Sequence, residues 1–309
     1  MKTPSFFIVG AMKAGTTSLF DALCKHPKIF MPVEKEPFYY VWSTTQKEFV
    51  LPSPDGLISS DRWKIFDNYE SYIELFSDMP EGSIAGEAST FYLPHKEAAE
   101  GIKADFPNAK IIIILREPVS RAYSAYNFQV SFGLEPAATF SEAIEDELSG
   151  NRNDWLYGWR HIYCSTYSEQ VKRYMKCFGK KNVLILSQDE LKNNQQTLLN
   201  NVCIFLGIKP ITVQDSVGSN ITAIPSNNLG KLVRLLFSRP NIIKDSIKKY
   251  IPLGFRRKIK SYVMAVIVKY SKKPERIEPE LKQKLRAYFI EDIKSLEEIT
   301  GKDFSLWYK

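Results

Sequence analysis

Eight residues near the start of the chain, Gly10-Ala11-Met12-Lys13-Ala14-Gly15-Thr16-Thr17, combine two glycines, a lysine and a threonine pair. They follow the apolar run Phe6-Phe7-Ile8-Val9 and precede Leu19, Ala22 and Leu23 at helical spacing. A strand, a glycine loop and a helix start, in that order, make an anion cradle. The glycines let backbone N–H groups turn inward, and the helix N-terminus favours negative charge. In cradles for nucleoside triphosphates a lysine directly follows the second glycine and a hydroxyl next to it holds Mg²⁺. Here Thr16 takes that lysine position and Lys13 sits inside the loop. This placement suits a shorter anion, bound without a metal.

A second group lies a hundred residues on. Lys110 to Leu115 holds four consecutive isoleucines, the clearest buried strand in the chain, and Arg116 stands at its carboxyl end. Ligands of open α/β sheets bind at that end of the strands, and a guanidinium fork matches a phosphate. Pro118 fits the first turn of a helix running to about Phe132. Ser124, eight residues after Arg116, offers a hydroxyl from that helix. A triphosphate hydrolase would more often end this strand in a metal-binding Asp, so Arg116 argues against a kinase or ATPase. A third group, Glu34-Lys35-Glu36-Pro37-Phe38-Tyr39-Tyr40, sets carboxylates beside three aromatic rings. A carboxylate partly buried among aromatic rings is expected to hold its proton more tightly, as a base near neutrality requires. Pairing with Lys35 or Arg121 is the competing role for Glu36. Of the three histidines, His26 precedes a proline at a helix end and reads as structural.

Phe6 to Leu19 resembles the 5′-phosphosulfate loop of the sulfotransferases that use PAPS (3′-phosphoadenosine 5′-phosphosulfate), in the form of the heparan-sulfate-type and bacterial members. Ile111 to Tyr126 resembles the family's 3′-phosphate strand and helix. The resemblance implies that Lys13, Ala14, Gly15, Thr16, Thr17 and Ser18 hold the phosphosulfate, and that Arg116 and Ser124 hold the 3′-phosphate. It implies that Lys13 meets the oxygen between phosphorus and sulfur, where charge develops, and that Glu36 is the base. PAPS is then the cosubstrate, PAP the product, and no metal takes part. Tyr288 to Trp307 resembles the family's C-terminal helix.

The chain also departs from the pattern. Phe38 stands where many members carry a polar residue, often His, and Ala88 follows Glu87 where many glycosaminoglycan enzymes have Lys. The later nucleotide loop should fall within 217–231, but Asn227 and Asn228 replace the basic residue beside Pro225-Ser226. An acceptor site without those polar groups favours a hydrophobic alcohol such as a sterol, lipid or phenol. Trp42, Phe91, Tyr92, Phe128, Phe132, Trp155, Tyr157 and Trp159 are available to line it. A saccharide acceptor is the alternative; a nucleotide kinase or ATPase, or a non-catalytic PAP-binding module, are alternatives of other classes.

These groups need a scaffold. Strands at Phe6–Val9, Ser83–Glu87, Lys110–Leu115 and Asn182–Leu186 alternate with helices at Ser18–Lys25, Pro118–Phe132, Thr166–Phe178 and Asp189–Leu206. That order predicts an α/β fold with a P-loop-like central parallel sheet, helices on both faces and a mostly helical C-terminal part. The expected organisation is a single sulfotransferase domain over 1–309.

Composition is that of a soluble globular protein, with 44% apolar and 25% charged residues. No stretch approaches the ~18–20 apolar residues of a membrane span, and no signal peptide is visible, so a cytoplasmic location is expected. Cys24, Cys164, Cys177 and Cys203 lack metal-ligand spacing and read as buried free thiols. Of 42 Lys and Arg, 20 fall in 230–309, against 9 of 35 Asp and Glu. Ile259, Tyr262, Val263, Val266, Ile267 and Tyr270 recur at helical spacing among lysines and arginines, so 244–273 reads as a basic amphipathic segment suited to peripheral membrane contact. The expected partner is a hydroxyl-bearing small molecule, lipid or saccharide, with no nucleic acid; oligomeric state is not encoded in these motifs.

Overall fold

Apolar runs without polar alternation have to be covered on both faces, and such runs form the centre of this molecule. The computed structural model describes residues 2–44, 49–54, 56–57, 66, 68–212, 224–225, 271–272 and 276–308. In chain order the elements are β1 (Pro4–Gly10), α1 (Thr16–Leu23), β2 (Ile29–Phe30), α2 (Tyr39–Trp42), β3 (Pro52–Ser53), β4 (Gly56–Leu57) and α3 (Tyr69–Glu74). Then come β5 (Ile84–Ala88), α4 (Ala98–Asp105), β6 (Lys110–Leu115), α5 (Pro118–Phe132), α6 (Phe140–Leu148), α7 (Ser168–Phe178), β7 (Val183–Ser187), α8 (Gln188–Asn193) and α9 (Gln195–Leu206). The described remainder holds β8 (Ile224–Pro225), β9 (Ser271–Lys272) and α10 (Pro279–Thr300).

The main sheet is parallel, in the order β2-β5-β1-β6-β7. Phe6 to Val9 and Ile111 to Leu115 are fully buried within it. Because β1 lies between β5 and β6, the carboxyl ends of all three strands open on one edge. The loop after Gly10, Ser89 after β5 and Arg116 after β6 therefore share one locality. α10 packs Leu285, Phe289, Ile293 and Leu296 into the same core, and Trp307 is buried beyond it.

The α/β class and the parallel sheet follow the sequence reading. One expected helix, Asp189–Leu206, is two: Asn194 leaves helical geometry at φ −140, and α8 has its own start, a capping box between Ser187 and Glu190. Helix α6 was not anticipated, although its own capping box, Thr139 with Glu142, is legible as a start signal. The four thiols form no disulfide; Cys164 and Cys203 are buried, whereas Cys177 is half-buried and Cys24 exposed, contrary to the buried expectation. Cys24 ends α1 next to its solvent side. The basic segment 244–273, apart from Ser271 and Lys272, and most of the loop at 217–231 lie outside the described residues. Among the described residues no helix is long and apolar enough to cross a membrane.

Candidate active site

The glycine loop is shaped by contacts that glycine alone permits. Gly15 caps α1 at φ 103, and a Cβ there would lie 2.8 Å from Leu191 Cδ2. At Gly10 a Cβ would lie 2.6 Å from Leu93 Cβ. The Ala11 N–H donates to the Ile114 carbonyl at 2.7 Å and ties the loop to β6. Ala14 and Thr16 are buried, while Thr17 and Ser18 are half-buried. No side chain caps α1 and no acid occupies its first turn, so its leading N–H groups keep their capacity for an anion.

Lys13 and Arg116 meet at this loop. An Arg116 Nη1 donates to the Lys13 carbonyl at 3.2 Å, and Gln188 Nε2 donates to the same oxygen at 3.4 Å. The Arg116 carbonyl in turn accepts from the Tyr167 hydroxyl at 2.9 Å. Glu117 does not neutralise Arg116 by a hydrogen-bonded pair; its carboxylate caps α5 through the Val119 and Ser120 N–H groups. Lys13 Nζ stands 4.3 Å above the Phe128 ring. Burial pushes its pKa down to about 8, with Arg116 adding repulsion and Glu36 opposing it. Burial also lowers Arg116. Two partly desolvated cations beside uncapped N–H groups fit a phosphate or phosphosulfate, which would relieve both penalties. Among the described residues no cluster of His, Cys, Asp and Glu is placed to hold a metal. Ser124 is half-buried on α5, two turns past Arg116.

Glu36 comes to this edge because its N–H donates to the Ala88 carbonyl at the end of β5, at 3.0 Å. Its carboxylate accepts from Thr90 Oγ1 at 3.0 Å and lies 3.6 Å from Lys35 Nζ. Lys35 also donates to Thr17 Oγ1 at 2.8 Å, so one ammonium joins the carboxylate to the cradle. Arg121 does not pair with Glu36; fully buried, it donates to Ser165 Oγ and to the His161 carbonyl. Among the described residues, the non-glycine positions with positive φ are Lys13, Glu36 and Phe38. Strained backbone of this kind persists where surrounding contacts over-determine it, and here it coincides with the site.

The rings expected around Glu36 point elsewhere. Phe38 stacks on Phe91 at 4.5 Å, Tyr39 stacks on Tyr72 at 4.6 Å, and the Tyr40 hydroxyl donates to Asp105. Burial lifts the Glu87 carboxyl to about 7, beneath the Tyr72 hydroxyl. The expected pairing of Lys35 with Glu36 is present, at 3.6 Å. Sequence reasoning missed the bond from Lys35 to Thr17 and the tethering roles of Thr90, Gln188 and Tyr167, which carry no local signal.

The sulfotransferase domain model matches residues 3–236, well over half of the chain. The chain belongs to the sulfotransferase family. The sulfotransferase of Alicyclobacillus acidocaldarius, a crystal structure, superposes over the whole of both chains with a TM-score of 0.75 and 26% identity. Human carbohydrate sulfotransferase 15 is 28% identical over 285 residues, covering 74% of this chain and 49% of that protein. The mouse bifunctional heparan sulfate N-deacetylase/N-sulfotransferase 4 is 29% identical over 225 residues, covering 67% of this chain and 22% of that protein. This sulfotransferase domain thus spans about half, or less, of the length of these curated relatives. Membership removes the kinase and ATPase alternatives, in line with the displaced lysine and with Arg116 at the end of β6.

Proposed function

We propose that this chain transfers a sulfuryl group from PAPS to a saccharide hydroxyl. The observation that carries the nucleotide half is the direct hydrogen bond from Arg116 to the Lys13 carbonyl. It makes one anion site of two motifs a hundred residues apart. In this reading residues 13–18 and α1 take the 5′ end, while Arg116 and Ser124 take the 3′-phosphate. Bound PAPS would supply the activated sulfuryl group.

The chain's own residues have distinct tasks. Glu36, held by Thr90 and by the Ala88 carbonyl, takes the proton of the acceptor hydroxyl. Lys13 offers a cation on the leaving side, where it favours the transition state over the ground state. Lys35, bonded to Thr17 and close to Glu36, keeps base and cradle in one register.

The acceptor reading moves from a hydrophobic alcohol to a saccharide on two grounds. The named relatives act on carbohydrate and on heparan sulfate. The rings expected to line an apolar acceptor site are also largely used up in packing. Phe91, Tyr92, Tyr157 and Trp159 are buried. The Trp159 indole donates to the Leu134 carbonyl, Phe128 sits under Lys13 and against Phe132, and Trp155 is covered by the Arg152 guanidinium.

A PAPS turnover assay against oligosaccharides, amino sugars, sterols and phenols tests this. Sulfation of oligosaccharide hydroxyls is expected. Turnover on sterols or phenols alone would return the acceptor to the hydrophobic class, and transfer to amines would redirect it to N-sulfation. PAP binding with no turnover on any acceptor would point to a binding module.

A further inference from the structure

The family match ends at residue 236, yet α10, which lies beyond it, holds a tyrosine that bonds a residue of the anion site. Tyr167 is fully buried between α5 and α10. Its hydroxyl donates to the Arg116 carbonyl at 2.9 Å. Its backbone N–H donates to Asp292 Oδ2 on α10 at 2.7 Å. Its ring leans on Trp307 at 6.3 Å between centroids. Asp292 also accepts from the Ser168 N–H and hydroxyl, so it caps α7, a helix with no cap from its own flanking side chain. On the other side, Arg121 of α5 grips the residues just before Tyr167 through Ser165 and the His161 carbonyl.

We propose that Tyr167, set by Asp292, is a positioning residue for the nucleotide site, and that the C-terminal helix α10 is thereby a working part of that site. The physical reason lies in Arg116. Its side chain leaves the end of β6 and bonds the Lys13 carbonyl, so a small swing of the Arg116 peptide plane moves both cations. The hydrogen bond from Tyr167 fixes that plane. A carboxylate at the start of α7 suits the positive end of the helix dipole. Asp292 therefore holds Tyr167 by charge as well as by hydrogen bonds. The inference rests on the nucleotide reading of the same site.

The test measures PAP affinity by titration calorimetry, apart from turnover, in wild type, Tyr167→Phe, Asp292→Asn and the double variant. Leu296→Ala, a core truncation elsewhere on α10, reports simple destabilisation. Each of the first two is expected to weaken PAP about threefold to tenfold, the range of one buried hydrogen bond. The double variant is expected to lose less than the product of the singles. KM for PAPS should rise while KM for the acceptor stays in place. Leu296→Ala should lower the melting temperature and leave PAP affinity unchanged. If Tyr167→Phe and Asp292→Asn bind PAP like wild type, or if Leu296→Ala weakens PAP equally, the positioning role is wrong. A wild-type protein that does not bind PAP overturns the nucleotide reading instead.

Discussion

Lys35 donates to Thr17 across 2.8 Å and stands 3.6 Å from the Glu36 carboxylate. A residue from the segment after α1 thus grips the first turn of α1 with the same ammonium that faces the candidate base. Base and anion cradle are held together by a side chain. The site is a small charged assembly in which Lys35 links the Glu36 carboxylate to the cradle and Arg116 is tied to the same loop through the Lys13 carbonyl.

Affinity for PAP should fall in alkaline solution. Lys13 is depressed to about 8 by burial, then by Arg116. Below that pH it is charged and can meet an anion; above it the free protein loses the charge. Because a bound anion favours the charged form, affinity should drop by about tenfold per pH unit above 8, until the pKa in the complex is reached. Calorimetry between pH 7 and 9.5 reads the slope. Lys13→Arg, charged throughout, should flatten it.

Glu36→Gln keeps the shape of the side chain and its contact with Thr90 while removing proton acceptance. kcat is expected to fall about 10²–10⁴-fold, the usual worth of a general base. PAP affinity should stay near the wild-type value, since the proposed reading sets Glu36 on the acceptor side. Turnover retained at the wild-type rate would remove Glu36 from that role.

Gly15→Ala should damage the fold and the cradle together. The new Cβ meets Leu191 Cδ2 at 2.8 Å, and the backbone stays at φ 103. Overpacking of this sort costs about 1–3 kcal/mol. A second substitution, Leu191→Ala, should not restore stability fully, because it relieves the contact and leaves the backbone strain. Denaturant unfolding of the single and double variants checks this.

A fully buried ion pair predicts an acid-sensitive core. Arg152 donates to both Glu135 oxygens, at 2.9 and 3.3 Å, and His161 Nε2 lies 3.2 Å from the same carboxylate. Burial opposes the charge on Glu135, but hydrogen bonds and charge from His161 and Arg152 outweigh it and hold the carboxyl below its usual range. A lowered carboxyl stabilises the fold above the ordinary carboxylate pKa. That contribution is lost as pH falls through the lowered native value. Glu135→Gln leaves Arg152 buried with, among the described residues, the half-exposed Asp146 as its acidic partner, and should lose about 3 kcal/mol at neutral pH. Urea unfolding at pH 7 and pH 3.5 should show the difference between wild type and variant shrink in acid.

What the chain's order of residues determined is local. The pairing of Gly10 with Gly15, the lysine inside the loop, the isoleucine strand ending in Arg116 and the proline start of α5 each lie within one short stretch. Strand burial, glycine conformation and helix initiation are decided by near neighbours, so these features are readable in order. The tertiary structure decided the rest. It turned Phe38 and Tyr40 into the core, laid Tyr39 against Tyr72, gave Glu36 to Thr90, and buried the Glu87 carboxyl. It also brought Gln188 onto the Lys13 carbonyl and Asp292 onto Tyr167, over 175 and 125 positions of chain. Parallel strands put residues distant in sequence at one sheet edge. Which side chain then meets which depends on packing that no local pattern records.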